Sequence, residues 1–538
     1  MYAAAISLAL IAFVLVIFSE EIAGGGSRRA VESAKAIVAA LGSALLFLDL
    51  VLRRSGHSVW LRRVREIALV LLAMVAGLAW WNFMQFHYLH YTHMSDTFHY
   101  YVGSKYFEEL GHSRLYACTA IADAEAGTQT GVSERILQNL ETNQLEPTTS
   151  TLADPDACKR HFDAARWSMF THDVGWFRDR IRRSRWHAIQ RDHGYNPPPT
   201  WTAIGGVLAA TGPASWARIL ALGAIDPLLL GSMWALVAWA FGWRALCVAA
   251  IFWGTNLFAG FGWTGGSFLR QPWLVTSIAG ICLLRRGRPA GAGASLAVAA
   301  SLRIFPAVLL VGVALRALWS LYNSGRRRFE ADHLRFAAGA LAGAGAIFTL
   351  SLVVVGGVQP WLDFIDNSRT HLATPLKNHV GLKTVLAYDA EHADRLIRGG
   401  TAEDRYLEWR AAREARGAER VVSYWLLLAG FGTLLAFAVR DQPDWVAATL
   451  GIGLIPVAFE LTNYYYAILL GYGLLVVRWP GVGPALLGLS ALGWAIVDRR
   501  QWQDEIMVWA SVSVLVFVCF CTLLPLYRTP QHDPQAGS

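Results

Sequence analysis

Long apolar blocks with few charges limit what this chain can fold into more than any other feature. Each block runs for roughly 15–22 residues, and a helix needs about 20 apolar residues to cross a bilayer. Only 16% of the residues are Asp, Glu, Lys or Arg, against about 25% in soluble domains. The pattern predicts an all-α integral membrane protein. It excludes a disordered chain and argues against an ordinary soluble enzyme.

Fourteen apolar runs are candidate membrane spans, with boundaries that carry an error of about two to four residues. They are 2–18, 33–52, 66–87, 217–241, 244–262, 272–284, 290–303, 304–320, 335–356, 422–439, 444–461, 465–479, 481–497 and 506–527. The first run lacks a basic segment before it and a small-residue cleavage site. We therefore interpret it as a retained span rather than a signal peptide.

Basic clusters at the ends of apolar runs predict the orientation. Residues 53–65, 285–288 and 326–328 are rich in arginine, and such clusters stay on the cytoplasmic side. Segments 88–200 and 357–421 are then predicted to lie outside. The net charge of +8 thus reflects membrane topology, and we expect no nucleic-acid partner.

Two segments are predicted to be irregular. The run 202–215 is short and glycine-rich, and the predicted orientation leaves no room for it as a full crossing. We interpret it as a re-entrant helix, which is tolerated where protein shields the backbone. The run 290–320 is predicted to break at Arg303-Ile-Phe-Pro306, near the outer face.

This topology divides the chain into four parts. Two spans and a cytoplasmic loop occupy 1–65, and a transmembrane module with the large outer loop occupies 66–356. Residues 357–421 form a second outer loop, and 422–538 hold the last spans.

Both outer loops are predicted to contain amphipathic helices. Residues 176–190 place four large apolar side chains among five arginines, which is typical of a helix lying on a membrane surface. A solvated basic face is the alternative. Residues 401–420 pair Glu with Arg at helical spacing and are predicted to be structural.

Two of the six cysteines, Cys118 and Cys158, fall in the first outer loop. In an oxidising compartment they could pair, and both the paired and the free state stay open. The other four lie in apolar runs and are predicted to be core residues. No Cys/His spacing matches a zinc site.

Asp96 follows the third candidate span, where the chain leaves the membrane. A partly desolvated carboxylate there can serve as a general base. His93, His99 and Tyr100 lie three or four residues away, on the same side of a helix. The alternative is that Asp96 caps a helix over 97–110, and the two roles are compatible.

Arg303 lies between two apolar half-helices, shortly before Pro306. A lone arginine inside a span costs about 2.5–3.5 kcal/mol on insertion scales, which makes it a candidate functional residue. A phosphate would compensate its charge. The alternative is an arginine whose side chain reaches the outer interface.

Three further segments place polar or aromatic residues at the predicted outer face. A proline-rich stretch precedes the re-entrant helix, a polar stretch lies in the second outer loop, and a tyrosine-rich stretch ends a span, where an aromatic belt is the alternative. The candidates are Tyr195, Trp201, Asn378, His379, Lys383, Glu460 and Tyr464. Asp226 is predicted to lie within the membrane, as the cap of a broken helix.

Taken in order, these residues resemble the GT-C superfamily of integral membrane glycosyltransferases, which use polyprenyl-phosphate sugars. The closest similarity is to glycosyltransferase family 87, the polyprenol-phosphate-mannose-dependent mannosyltransferases. The matching elements are Asp96 in the first large outer loop, a Tyr-x-Pro-Pro stretch at 195–198, a basic residue before proline at 303–306, and the polar stretch 378–382. The resemblance spans roughly 66–480 and implies that 66–356 is a catalytic module.

The resemblance implies transfer of a mannose-like hexose or a pentose from polyprenyl phosphate to a hydroxyl of a glycan or glycolipid. The reaction would invert the anomeric carbon on the extracytoplasmic face of a membrane, expected to be the bacterial inner membrane. Asp96 would be the base, and Arg303, helped by Lys383 and His379, would hold the leaving phosphate. Tyr195 and Trp201 would shape the lipid access.

The same resemblance implies further substrate contacts, from His93, His99, Tyr100, Asn378 and Tyr464. No required cofactor is predicted. A divalent metal stays open, although no acidic cluster extends beyond Asp96, Glu108 and Glu109.

Two alternatives from other classes remain: a transporter or flippase, and a polymerase or ligase, for lipid-linked saccharides. The transporter or flippase accounts for the spans, Arg303 and Asp226, but less well for two long outer segments with an acid at the membrane exit. The polymerase or ligase would share the outer arginines and a lipid-linked substrate. Both predict that Asp96→Asn is tolerated better than Arg303→Ala. The transferase hypothesis predicts that Asp96→Asn abolishes sugar transfer.

Overall fold

The computed structural model describes residues 28–53, 59–87, 90–127, 131–325, 328–394 and 406–527. The predicted span 2–18 lies outside the described residues, as does most of the basic cluster 326–328. The chain is 74% helical with almost no sheet, which confirms the all-α class.

Six described helices are long and apolar enough to cross a membrane. They are Arg29–Leu52, Trp216–Phe241, Ala307–Ser324, Ala331–Val354, Val421–Ala438 and Gln503–Tyr527. Five further apolar helices are shorter. The structure thus supports an integral membrane protein, and the total of fourteen spans stays a prediction.

The first helices lead into an outer layer of short elements. In chain order these are α1 (Arg28–Arg53), α2 (Val59–Trp80), α3 (Met94–Lys105), α4 (Phe107–Leu110), α5 (Leu115–Glu125), β1 (Ile136–Asn139), β2 (Gln144–Pro147), α6 (Thr148–Ala153), α7 (Asp156–Lys159), α8 (Ala164–Arg178) and α9 (Arg183–Ile189). Strands β1 and β2 form an antiparallel hairpin in which Ile136 pairs with Pro147. Cys118 in α5 and Cys158 in α7 form a disulfide, with their Cα atoms 5.6 Å apart.

The middle of the chain holds nine helices within the described residues. They are α10 (Pro199–Ala209), α11 (Trp216–Gly223), α12 (Ile225–Phe241), α13 (Trp243–Thr255), α14 (Phe261–Thr264), α15 (Pro272–Arg285), α16 (Pro289–Leu302), α17 (Ala307–Ser324) and α18 (Ala331–Val354). Helix α10 has 11 residues, so it is about 16 Å long and too short to cross the hydrocarbon core. It packs against α3 and α18, which shields its backbone.

The last third begins in the segment predicted to be the second outer loop. Its elements are α19 (Gln359–Leu372), β3 (His379–Val380), α20 (Leu382–Leu386), α21 (Leu407–Glu419), α22 (Val421–Ala438), α23 (Asp444–Gly451), α24 (Leu454–Ala458), β4 (Leu461–Thr462), a 3-10 helix (Asn463–Val477), α25 (Val482–Arg499) and α26 (Gln503–Tyr527). Strands β3 and β4 pair antiparallel, with His379 opposite Thr462. This pairing ties the outer loop to the segment that carries the tyrosines.

Small residues allow α16 and α18 to pack backbone against backbone. A Cβ atom at Gly339 would lie 1.9 Å from the carbonyl oxygen of Ala290, and one at Gly293 would lie 2.0 Å from that of Phe336. Close packing of this kind holds helices together where lipid removes the hydrophobic driving force. It anchors α16, whose last residue precedes Arg303.

The prediction of a surface helix over 176–190 is wrong. The segment forms two helices that break between Arg178 and Arg183. Its apolar residues Phe177, Ile181 and Trp186 are buried inside the protein. The apolar face therefore packs on the outer layer itself and is not free to enter lipid, because amphipathic periodicity does not specify what that face contacts. Four of its five arginines, Arg180, Arg182, Arg183 and Arg185, are exposed, as the alternative of a solvated basic face expects, whereas Arg178 is buried.

One buried apolar cluster runs from Val38 to Cys521 and includes the outer layer. The predicted parts therefore share a core across their boundaries, and the four-part division stays a prediction. The predicted break near 303–306 is present, since α16 ends at Leu302 and α17 begins at Ala307.

Candidate functional site

A cavity of about 400 Å³ lies where the start of α3, the turn before α15, the break between α16 and α17, and the β3–β4 pair meet. Nine residues singled out from the sequence line it: His93, Asp96, His99, Tyr100, Arg303, Asn378, His379, Glu460 and Tyr464. They come from four separate stretches of the chain. The cavity brings the candidate base and the candidate phosphate ligand to one space.

Asp96 lies in the first turn of α3 and does not cap it. The cap is His93, whose Nδ1 accepts the backbone N–H of Asp96 at 3.1 Å. Burial lowers the pKa of His93, which keeps its ring neutral and able to accept this hydrogen bond. The cap role proposed for Asp96 is therefore wrong, and its carboxylate is left for other contacts.

Arg270, a residue not expected from the sequence, is the ion partner of Asp96. Its Nε lies 3.2 Å from Asp96 Oδ2, and its side chain is only 4% exposed. The two atoms are not aligned as a hydrogen bond, and Asp96 Oδ2 has no hydrogen-bond partner in the described residues. Although burial opposes its charge, the Asp96 carboxylate raises the pKa of Arg270. The pair is therefore charged but leaves a carboxylate oxygen without a hydrogen bond.

The turn that carries Arg270 is strained and held from two sides. Leu269 has a φ of 51°, a conformation that costs a non-glycine residue about 1–3 kcal/mol and persists where its surroundings hold it. Trp201 Nε1 donates to the Leu269 carbonyl oxygen at 2.9 Å. Asp226 Oδ2 accepts the backbone N–H of Arg270 at 2.7 Å. The Asp226 carboxylate therefore holds this turn through a backbone hydrogen bond. It lies at the start of α15, where the helix dipole favours a negative charge.

Arg303 is a buried cation with neutral partners. It donates to Tyr465 Oη at 3.1 Å, Tyr100 Oη at 3.2 Å and the Leu302 carbonyl oxygen at 2.9 Å. No carboxylate of the described residues lies within ion-pair distance of it, although the residue is only 8% exposed. One carboxylate and two guanidinium groups thus form a cluster of net charge +1.

Tyr100 connects the two arginines. Its hydroxyl accepts from Arg270 as well as from Arg303, and the Arg270 guanidinium lies 4.6 Å from the centre of its ring. Burial raises the pKa of Tyr100 to about 12, so the phenol stays protonated at neutral pH. The ring and hydroxyl hold both guanidinium groups at the cavity without neutralising them.

The opposite wall carries neutral histidines. Burial lowers the pKa of His379 to about 4 and that of His371 to about 3. At neutral pH these rings offer hydrogen bonds and no charge. They suit the hydroxyl groups of a ligand better than its phosphate. At neutral pH the His379 ring is uncharged and cannot offset the charge of a phosphate, contrary to its predicted role.

Three of the predicted site residues lie away from the cavity wall. Tyr195 and Trp201 are buried behind it, at 1% and 2% exposure. Lys383 lines a neighbouring groove of about 380 Å³ beside Tyr424 and Trp425, near the first residues of α22. The two spaces share Glu460, whose Oε1 accepts from Arg413 at 2.5 Å and from Thr384 at 3.0 Å.

Two residues of the stretch at 199–201 donate hydrogen bonds to the backbone of the two turns that carry Arg270 and Arg303. Thr200 donates to the Ser301 carbonyl oxygen at the end of α16, while Trp201 donates to that of Leu269. Adjacent residues at the start of α10 therefore hold the backbone that presents Arg303 and Arg270. Trp201 positions the site rather than contacting what occupies the cavity.

Sequence reasoning missed many residues of the cavity wall. The titratable or aromatic ones among them are Arg185, Asp192, His193, Trp263, Arg270, His371 and Tyr465. A signal for Arg270 was present. It lies shortly before Pro272, which starts an apolar run, as Arg303 lies shortly before Pro306. The repeat of a basic residue before a helix-starting proline would have selected both arginines.

Comparisons with protein-family models, with curated proteins and with solved structures found no match to the chain. The resemblance to GT-C enzymes therefore stays a prediction. Within the described ranges, no group of three or more His, Cys, Asp and Glu side chains is placed to hold a metal ion. What the cavity does has to be inferred from its own chemistry.

Proposed function

We propose that the protein is a membrane glycosyltransferase that moves a sugar from a polyprenyl-phosphate donor to an acceptor hydroxyl. The observation that carries this proposal is the shared cavity, in which a carboxylate without a hydrogen bond on Oδ2 faces two buried arginines. A buried charge without a partner is costly, and an anionic ligand removes that cost at Arg303.

The donor phosphate is assigned to Arg303 and Arg270. Guanidinium groups bind phosphate through paired donors, and the two share the Tyr100 hydroxyl, so a single phosphate can reach both. Once a bound donor excludes water, they would stabilise the negative charge that stays on the phosphate as it leaves.

Asp96 is assigned the role of general base. It takes the proton of the acceptor hydroxyl while the hydroxyl oxygen bonds to the anomeric carbon. The bond from that carbon to the phosphate oxygen breaks, and polyprenyl phosphate departs with the electron pair. Attack opposite the leaving group inverts the anomeric carbon. Arg270 contacts Asp96 without hydrogen-bond alignment, so its donors can turn to a phosphate without removing a bond from the carboxylate.

A lipid-linked donor suits the surroundings of the cavity. The break at 303–306 follows one apolar helix and precedes a candidate span, Ala307–Ser324. The disulfide between Cys118 and Cys158 supports an oxidising compartment for the outer layer, and therefore an extracytoplasmic reaction. A reaction there draws on a donor carried by the membrane, since nucleotide sugars are cytoplasmic metabolites.

The test is Asp96→Asn in the purified full chain, assayed with synthetic polyprenyl-phosphate sugars. We expect transfer to fall by about 10²–10⁴-fold while donor binding and folding are kept. Asp366→Asn, which changes an exposed carboxylate on α19, is the matched control and should leave transfer unchanged. Retained transfer in Asp96→Asn would remove the assigned base, and a wild-type protein that transfers no sugar from any such donor would remove the function.

A further inference from the structure

Trp263 differs from the other aromatic residues around the cavity. It lines the same space as Asp96 and Arg270 and is 38% exposed. Within the described residues its indole has no ring partner and no hydrogen bond. Tyr100 and Tyr464, by contrast, are engaged by the Arg270 guanidinium. Within the described residues, this flat apolar ring is therefore stacked on no other ring and held by no side-chain hydrogen bond.

The loop that presents Trp263 is tightly built. Gly266 has a φ of +69°, and a Cβ atom there would lie 1.9 Å from the carbonyl oxygen of Tyr91. A Cβ atom at Gly265 would lie 2.0 Å from the Phe261 ring. These positions exclude larger residues, because the loop lies directly on the segment that precedes α3.

A pair of hydrogen bonds links the segment that carries Trp263 to the segment that carries Asp96. The backbone N–H of His93 donates to the Gly266 carbonyl oxygen at 3.0 Å, and the His93 ring accepts the N–H of Asp96. The loop carrying the indole is thus bonded to the residue that fixes the candidate base. The two segments are therefore linked through His93, by its backbone N–H on one side and by its ring on the other.

An exposed tryptophan in a membrane protein usually belongs to the interfacial belt. Trp263 instead shares its cavity with charged and polar groups, among them Asp96, Arg270 and the neutral His371. A flat apolar face among hydrogen-bonding groups fits a ligand that has an apolar face and a polar edge. A pyranose ring has that form, with C–H bonds on its faces and hydroxyl groups around its edge.

We propose that Trp263 is the stacking platform for a pyranose ring of the substrate. This inference rests on the proposed glycosyltransferase function. The ring belongs to the donor sugar or to an acceptor glycan, which have the same chemistry. The platform holds the ring beside Asp96 and leaves the phosphate site at Arg303 unchanged.

The kinetic test compares Trp263→Leu, Trp263→Phe and Trp263→Ala in the purified full chain. Loss of the ring in Trp263→Leu and Trp263→Ala should raise one KM about tenfold with a small change in kcat, while Trp263→Phe stays within about threefold of wild type. A rise in the donor KM assigns the donor ring, and a rise in the acceptor KM assigns the acceptor ring. Trp60→Ala, at an exposed tryptophan on α2 outside the cavity, is the control.

A binding test separates this inference from the proposed function. Saturation-transfer NMR with methyl hexopyranosides needs no transfer reaction. If the wild type transfers no sugar, the proposed function fails, and glycoside binding alone decides the platform: binding that is lost in Trp263→Leu and kept in Trp263→Phe supports it. Both KM values within twofold of wild type in Trp263→Leu, or glycoside binding that is absent from the wild type or equal in Trp263→Leu, would overturn the platform.

Discussion

Two clusters in this protein contain the same groups, one aspartate and two arginines, but differ in whether the carboxylate oxygens are hydrogen-bonded. In the outer layer, Asp123 Oδ2 accepts from Arg135 at 2.7 Å and from Trp186 at 2.7 Å, and Oδ1 accepts from Arg178 at 3.3 Å. The carboxylate is fully buried, with hydrogen bonds on both oxygens. This cluster joins α5, α8 and α9 and is complete without a ligand.

The cluster in the cavity is incomplete. Asp96 meets Arg270 without hydrogen-bond alignment, and Arg303 has no carboxylate near it in the described residues. The comparison shows that residue types do not distinguish a structural ion cluster from a functional one. The difference lies in which donors and acceptors are left without partners, and in whether a cavity adjoins them.

The largest expected effect separates the two aspartates by stability. Asp123→Asn leaves two buried arginines without their carboxylate, and we expect the free energy of unfolding to fall by about 3–5 kcal/mol. Asp96→Asn should lower it by less, about 1–2 kcal/mol, because Arg270 loses its ion partner but no aligned hydrogen bond on Oδ2, and the pair lies at a cavity. Thermal unfolding in detergent measures both. Equal losses of unfolding free energy in the two variants would contradict the distinction between a structural and a functional cluster.

The second effect concerns Arg303. Arg303→Ala removes a charge that the leaving phosphate needs, so we expect transfer to fall by about 10²–10³-fold. Stability should be kept, since the variant also removes a buried cation without a carboxylate. Lys383→Ala is the matched control, because it removes a cation from the neighbouring groove rather than from the cavity. A loss in Lys383→Ala as large as that in Arg303→Ala would place the phosphate in the groove instead.

The third effect depends on pH and arises in the cavity wall. Burial lowers the pKa of His379 from 6.5 to about 4, so the unfolded chain binds its proton more readily than the folded one. This stabilises the folded state above pH 6.5, and the contribution of about 3 kcal/mol is lost as pH falls from 6.5 towards 4. His379→Gln should show a shallower fall of the unfolding midpoint over that range. A variant with the same slope as wild type would show that His379 does not carry the dependence.

The helices were predictable because hydropathy and length are local properties of the chain. The break at 303–306 was also predictable, since a charge and a proline interrupt one apolar run. The packing of 176–190 was not. Its periodicity defines an apolar face, but whether that face meets lipid or protein depends on α3 and α5, which come from earlier in the chain.

Some residues of the candidate site could be predicted from the sequence and others could not. Asp96 and Arg303 stood out because a charge at the end of an apolar run is costly and needs a reason. Arg270 was overlooked, although its place shortly before Pro272 repeats that of Arg303 before Pro306. Its contact with Asp96 was not predictable, because residues about 170 positions apart leave no trace of their contact in local pattern. Trp201 was expected at a lipid access and instead supports the turn at Leu269, a role that only its hydrogen bond reveals.

The sequence by itself determined that the chain is helical, that it suits a membrane, and that, apart from the basic clusters, few ionisable groups lie at the ends of its apolar runs. These follow from composition and spacing, which act locally. Tertiary structure alone decided that Asp96, Arg270 and Arg303 share one cavity and that Lys383 lies outside it. It also decided that both carboxylate oxygens of Asp123 are hydrogen-bonded, whereas Oδ2 of Asp96 is not. Those outcomes depend on long-range packing that sets distances of about 3 Å between atoms, the scale on which charge and hydrogen bonding act.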